Sequence, residues 1–162
     1  MVLDEFSLQG KTAMVTGASR GLGKGIALAL AEAGADVVGV GVSDMSDTAA
    51  QVEAMGRRFL GIRADLTDKS CVPDIVAQAN NACAGIDILV NNAGTIRRND
   101  LIDFTEQDWD EVMDLNLKTL FFLSQAVARE FIDRGTGGKI IHIASMLSFQ
   151  GGIRVASYAS SK

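Results

Sequence analysis

A chain of 162 residues fits one ordinary domain with a real core, and 48% apolar against 22% charged residues argue for a globular fold over disorder. A net charge of −5 argues against a phosphate-backbone binder, since nucleic-acid affinity rests on clustered Lys and Arg. Asp4 and Glu5 open the chain without a basic segment, and no apolar run approaches the roughly eighteen residues that span a bilayer, so the expectation is a cytoplasmic protein with neither nucleic acid nor membrane as partner.

Residues 11–16 form a short β-prone run that leads into Gly17-Ala18-Ser19-Arg20-Gly21-Leu22-Gly23. Residues 25–33, rich in Ala, Leu and Ile, read as a helix closed by Gly34, and so open a βαβ unit. Further buried strands are expected at 36–42, 59–64, 86–91 and 139–144, preceded by helices at 47–56, 73–82 and 105–134. The last of these is long for a small domain, and a break is expected between a helix starting at Gln107-Asp108-Trp109 and one over 115–131. Trp109, Phe121 and Phe122 recur at spacings that bury a helical face and are assigned to the core. His142 lies mid-strand and reads as a buried or half-buried histidine with its hydrogen bonds satisfied. Cys71 and Cys83 have neither a CxxC spacing nor a histidine partner, so no metal site is expected and both read as ordinary reduced thiols.

Strands alternating with helices imply a parallel α/β sheet covered on both faces, in one domain over residues 1–162. Right-handed crossovers bring all strand ends to one edge, where open α/β sheets bind ligands. The candidate chemistry falls there: the glycine turn follows the first strand, Asp65 the third, Asn91 to Gly94 the fourth and Ser145 the fifth. Gly17, Gly21 and Gly23 sit between a strand and a helix, where missing Cβ atoms let backbone approach a pyrophosphate. The turn is not a nucleoside-triphosphate loop. Gly17 to Lys24 is one residue too long for that spacing, and Gly25 stands where a magnesium-binding Ser or Thr belongs. Tyr158, the only tyrosine, is followed by Lys162 four positions on, so on a helix the two share a face. A phenol with an ordinary pKa near 10 is a poor base at neutral pH, and a fixed ammonium beside it favours the phenolate. Tyr158 is therefore the candidate proton donor and acceptor.

Thr16 to Gly23, Asn91-Asn92-Ala93-Gly94, Asn116, Ser145 and Tyr158-x-x-x-Lys162 stand in the order and spacing of the short-chain dehydrogenase/reductase family, which the whole chain resembles. The resemblance implies a Rossmann-type doubly wound parallel sheet with helices on both faces, and hydride transfer between NAD or NADP and a secondary alcohol or ketone. It implies a catalytic set of Asn116, Ser145, Tyr158 and Lys162, with Ser145 hydrogen-bonding the substrate oxygen and Asn116 holding a water that relays protons from Lys162. Coenzyme contacts are implied at Gly17, Ser19, Arg20, Gly21, Leu22, Gly23, Asp65, Leu66, Asn91, Ala93, Gly94, Tyr158 and Lys162, the last on the nicotinamide ribose. Asp65 also reads as a cap for the segment that follows it. An acid that would hold the ribose diol of NAD at the end of the second strand is replaced by Gly41, with Asp44 three residues on, whereas Arg20 suits the 2′-phosphate of NADP. NAD is the expected coenzyme, with NADP not excluded.

Residues 56–60, 91–98 and 144–155 are similar to the branch of the family that acts on deoxy sugar acids such as 2-deoxy-D-gluconate or 2-keto-3-deoxygluconate. That implies a small sugar-acid substrate, NAD(H) and a homotetramer. A sugar carboxylate suits arginine, and Arg97, Arg98 and Arg154 flank the expected pocket, with Gln150 a candidate for substrate hydroxyls. Family members continue well past the lysine, so the fold is expected to be cut after its fifth strand. Two other functions stay open: a dehydrogenase for a polyol or acyl thioester, and a non-catalytic dinucleotide-binding module.

Overall fold

The computed structural model describes residues 5–162; Asp4, used above against a leader segment, lies outside them. Five strands, β1 (Thr12–Thr16), β2 (Asp36–Gly41), β3 (Phe59–Arg63), β4 (Ile88–Asn91) and β5 (Lys139–His142), form one sheet in the order β3-β2-β1-β4-β5. Every pairing is parallel. The helices are α1 (Gly21–Glu32), α2 (Ser46–Ala54), α3 (Val72–Ala82), α4 (Glu106–Met113) and α5 (Leu120–Arg134), followed by two short ones, α6 (Leu147–Gln150) and α7 (Ala156–Ser161). The architecture is the expected Rossmann-type α/β sheet with helices on both faces.

Alternation along β1 shows how the sheet is covered. Ala13 and Val15 face one side, where Ala27 and Ala31 of α1 and Val52 of α2 pack; Met14 faces the other, with Val76 of α3 and Leu123 and Val127 of α5. The small residues of α1 let that helix lie close on the strands. At the opposite end of the sheet from the glycine turn, Asp36 accepts from Arg58 N–H at 2.9 Å and Arg58 Nε at 2.8 Å, pinning the starts of β2 and β3. Asp87 and Arg134 gather at the start of β4 in the same way.

Three expectations are corrected. The stretch from α4 to α5 is not interrupted: Asp114–Thr119 is a π-helical turn that joins the two helices, a form found mostly as single widened turns at functional sites. Trp109, Phe121 and Phe122 are 39%, 57% and 37% exposed rather than core. The buried face is Val112, Leu123, Val127 and Phe131 instead, because those positions turn toward the sheet and the aromatic positions turn away. His142 is exposed, since β5 is an outer strand of the sheet; its Nδ1 lies 3.3 Å from Asn91 Nδ2. Cys71 and Cys83 are free thiols, and burial pushes both above the ordinary thiol value.

Candidate active site

β1 has β2 on one side and β4 on the other, so the crossover direction reverses there and a crevice opens above the strand ends. A cleft of about 620 Å3 occupies it, within the usual range for small-molecule sites. Of the residues expected to hold a coenzyme, Gly17, Ser19, Arg20, Gly21, Leu22, Gly23, Asp65, Leu66, Ala93 and Gly94 line this cleft. A groove of similar size, about 660 Å3, runs between α3 and α5; it lacks converging strand ends and a glycine turn, so volume alone does not select the site.

The turn needs its glycines. Gly17 has φ of 70°, a left-handed backbone that side chains rarely adopt, and a Cβ on Gly23 would lie 2.1 Å from Gly17 O. The N-terminus of α1 is thereby drawn up to the strand end with no side chain in between, and its first N–H groups face the cleft. This is a cradle for a pyrophosphate. Thr16 fixes the turn to the next strand: its Oγ1 accepts from the N–H groups of Asn92 and Ala93, both at 2.9 Å, while Asn92 Nδ2 donates to Thr16 O at 2.9 Å. The sequence reading credited the Asn91 to Gly94 segment as a whole, and the structure divides it. Asn92, Ala93 and Gly94 line the cleft. Asn91 is buried with its amide turned to Ser124 Oγ at 3.0 Å and to His142, so its side chain serves the sheet.

Asp65 lines the cleft, and its carboxylate also accepts from Thr67 N–H and Thr67 Oγ1 at 2.9 and 2.8 Å, a local turn; the cap of the short helical segment that follows, the alternative reading of Asp65, is supplied by Asp68 instead. At the end of β2, a Cβ on Gly41 would meet only Gly17 Cα at 3.9 Å, so this position is open to the cleft. Asp44 does not replace the missing acid, because Ser46 N–H and Oγ occupy its carboxylate; those bonds hold its pKa below the ordinary value. Arg20 is exposed at the cleft wall.

Two of the catalytic candidates, Asn116 and Lys162, meet beside Gly94 at the cleft wall. Asn116, 1% exposed inside the π turn, donates through Nδ2 to Thr95 O and to Ser161 Oγ, both at 3.0 Å, and accepts from Thr95 N–H at 2.9 Å. Both amide hydrogens are used, so the water-holding role expected of Asn116 does not belong to its side-chain N–H groups; the side chain is a brace. A Cβ on Gly94 would come 3.2 Å from Asn116 Oδ1 and 3.4 Å from Lys162 Nζ, which shows how closely these three residues converge. Lys162 Nζ donates to Ile143 O at 2.8 Å and lies 5.9 Å from the centre of the Tyr158 ring. Burial lowers the Lys162 pKa from the ordinary lysine value. Ser145 is half-buried just beyond β5, held by its N–H to Ser148 Oγ and by Leu147 N–H to its own Oγ, both at 3.2 Å.

Two of the three arginines expected to read a carboxylate, Arg97 and Arg154, have carboxylate partners within the chain, and Arg98 is exposed. Arg97 forks onto Glu111, with Nε to Oε2 at 3.1 Å, and Nη1 donates to Thr95 Oγ1 at 3.1 Å. Arg154 adopts a left-handed φ of 63° and its Nε lies 3.1 Å from Asp100. Gln150 is exposed at the end of α6. The residues that sequence reasoning missed are Thr95, Glu111 and Ser161. Only Ser161 carried a signal, a hydroxyl three positions after Tyr158 on the same helix.

The model of the short chain dehydrogenase family matches residues 11–162. The chain is 57% identical over all 162 residues to the 2-dehydro-3-deoxy-D-gluconate 5-dehydrogenase of Escherichia coli K12, and spans 64% of that relative's length. Among solved structures, it superposes with a TM-score of 0.88 and 48% identity on a candidate 2-deoxy-D-gluconate 3-dehydrogenase from Agrobacterium tumefaciens with bound NADP, covering 96% of this chain and 61% of that one. A short-chain type dehydrogenase/reductase from Mycobacterium marinum gives a TM-score of 0.94 at 37% identity, covering 100% of this chain and 67% of that one.

Proposed function

We propose that this chain, which belongs to the short-chain dehydrogenase family, transfers hydride between a nicotinamide dinucleotide and a secondary hydroxyl or ketone of a deoxy sugar acid, 2-keto-3-deoxygluconate or 2-deoxy-D-gluconate. The observation that carries the reading is the meeting of Gly94, Asn116 and Lys162 at the end of a glycine-walled cleft, with Tyr158 one helical turn before the lysine. The name of the Escherichia coli relative supports the sugar acid.

When bound, the nicotinamide supplies the hydride acceptor or donor. The chain's own residues bind, orient and move the proton. The glycine turn and the start of α1 hold the pyrophosphate, and Ala93 and Gly94 give the coenzyme a side wall. Ser145 Oγ orients the reacting oxygen by a hydrogen bond, and the Tyr158 hydroxyl takes its proton in oxidation and returns it in reduction. Lys162, kept from leaving its place by Ile143 O, holds the ribose hydroxyls; its burial-lowered pKa brings proton exchange nearer neutral pH. Asn116 braces Thr95 and α7 so that these groups keep their spacing.

The coenzyme pair is read as NAD(P). Gly41 presents nothing to repel a 2′-phosphate and Arg20 is available to it, which suits NADP, while the resemblance noted from the sequence suits NAD. Assembly as a homotetramer belongs to the same reading, supported by the exposed apolar positions Trp109, Leu117, Phe121 and Phe122 along α4, the π turn and α5. So does a cytoplasmic location, where nicotinamide coenzymes reside; among the described residues no helix is long and apolar enough to cross a membrane. Absorbance at the nicotinamide band, followed with deoxy keto-gluconates and each coenzyme, tests the proposal. Turnover of the sugar acids supports it. Turnover of only a polyol or an acyl thioester, or coenzyme binding with no turnover of any alcohol or ketone, contradicts it.

A further inference from the structure

One side chain behind the cleft wall, β1, β4, the π turn and the start of α5 border a second and far smaller space. It leaves about 10 Å3 for the centre of a water molecule, and Leu66, Ala93 and Leu115 separate it from the cleft, lining both. Its polar side is formed by Thr16, Asn91 and Thr119. Thr119 is 1% exposed, and its Oγ1 meets no hydrogen-bond partner among the described residues.

That combination is uncommon. Buried hydroxyls in folded proteins almost always have a partner, and a helical threonine usually finds one in the carbonyl four residues earlier. Thr119 closes the π segment Asp114–Thr119, where the widened turn alters that local geometry. Its hydroxyl borders a cavity that also touches a threonine and an asparagine at two strand ends. The volume matches a single water and excludes a larger solute, and water in a protein interior is held by two to four polar contacts. Neutral hydroxyl and amide groups with no carboxylate, imidazole or thiolate give no basis for a cation.

We propose that this cavity is a binding site for one ordered water, which pairs with Thr119 Oγ1 and bridges it to Asn91 Oδ1 at the end of β4, since the Thr16 hydroxyl is taken by Asn92, Ala93 and Val90 and the Asn91 amide hydrogens by Ser124 and His142. The water ties the π turn, which presents Asn116 to Thr95 and Ser161, to β4, the strand that leads into Ala93. It is a structural link behind the coenzyme wall, distinct from the proton path through Tyr158 and Lys162, and it does not depend on the proposed activity.

Crystal structures of the protein and of its Thr119→Ser and Thr119→Val variants, at a resolution where single waters are visible, test this. The expected result is a water at about 2.6–3.2 Å from the residue 119 hydroxyl and from Asn91 Oδ1 in the parent and in Thr119→Ser. It should be lost from the nearly isosteric Thr119→Val. A dry cavity in the parent, Thr119 Oγ1 donating to Leu115 O, or a water that stays unchanged in Thr119→Val overturns the proposal. If Thr119→Val does not fold, the parent and Thr119→Ser structures decide the question between them.

Discussion

Asn116 donates to Ser161 Oγ at 3.0 Å, and that same hydroxyl donates to Tyr158 O at 3.0 Å, so the π turn and the helix bearing Tyr158 and Lys162 are joined through one buried serine. Small displacements of a proton donor cost rate steeply. Ser161→Ala should lower kcat by roughly tenfold, with the coenzyme Kd changed by about twofold or less, and Ser161→Thr should restore most of the loss. Steady-state kinetics with parallel coenzyme titrations check this. Equal losses in both variants would show that packing, not the hydroxyl, matters there.

Arg97 and Glu111 form a fork that ties the loop after β4 to α4. The pair is only partly buried, so its worth is modest, about 1 kcal/mol. Arg97→Ala should destabilise the protein by about that amount and leave the KM for the sugar acid within about twofold. A double-mutant cycle with Glu111→Gln, read by denaturant unfolding, measures the coupling. A large rise in KM at unchanged stability would return Arg97 to the substrate-reading role that its position in the sequence suggested.

Coenzyme choice turns on Arg20 and Gly41. With an open position at the end of β2 and an exposed cation on the cleft wall, Arg20→Ala should weaken NADP binding by roughly tenfold and NAD binding by about twofold or less. Fluorescence titration with each reduced coenzyme provides the ratio. An unchanged ratio means that Arg20 is a bystander.

Asp36 is the pH-sensitive joint of the sheet. Burial pushes its pKa up, but the Arg58 N–H, guanidinium and charge outweigh this and hold it below the ordinary 3.8. A depressed carboxylate adds stability above the unfolded value and loses it as the pH falls through the folded one. At neutral pH, Asp36→Asn should therefore melt lower by a few degrees, about 1–2 kcal/mol. The gap should close as the pH drops below 3.8. A gap independent of pH would exclude the ion pair as its source.

Patterns confined to short stretches were legible in the sequence. The parallel strands, the glycine turn and the Tyr158/Lys162 spacing all follow from period and proximity along the chain. What escaped depends on which way a side chain turns. Phe121 and Phe122 have the apolarity of core residues, yet the face of α5 that meets the sheet is set by Leu123, Val127 and Phe131. The pairing of Arg97 with Glu111, fourteen residues on, escaped as well, because nothing in the sequence joins the two. The brace made by Asn116 was not legible because its partners, Thr95 and Ser161, come from segments brought together only by the fold.

The central claim is that the Tyr158 hydroxyl exchanges the proton while the glycine cradle binds the coenzyme independently of it. Tyr158→Phe removes only that oxygen. Turnover of the sugar acid should fall by about a thousandfold or more, the upper part of the range for losing a general acid or base, while the coenzyme Kd stays within about twofold. Comparable turnover in Tyr158→Phe and the parent, measured at the nicotinamide band under saturating coenzyme, would contradict the account.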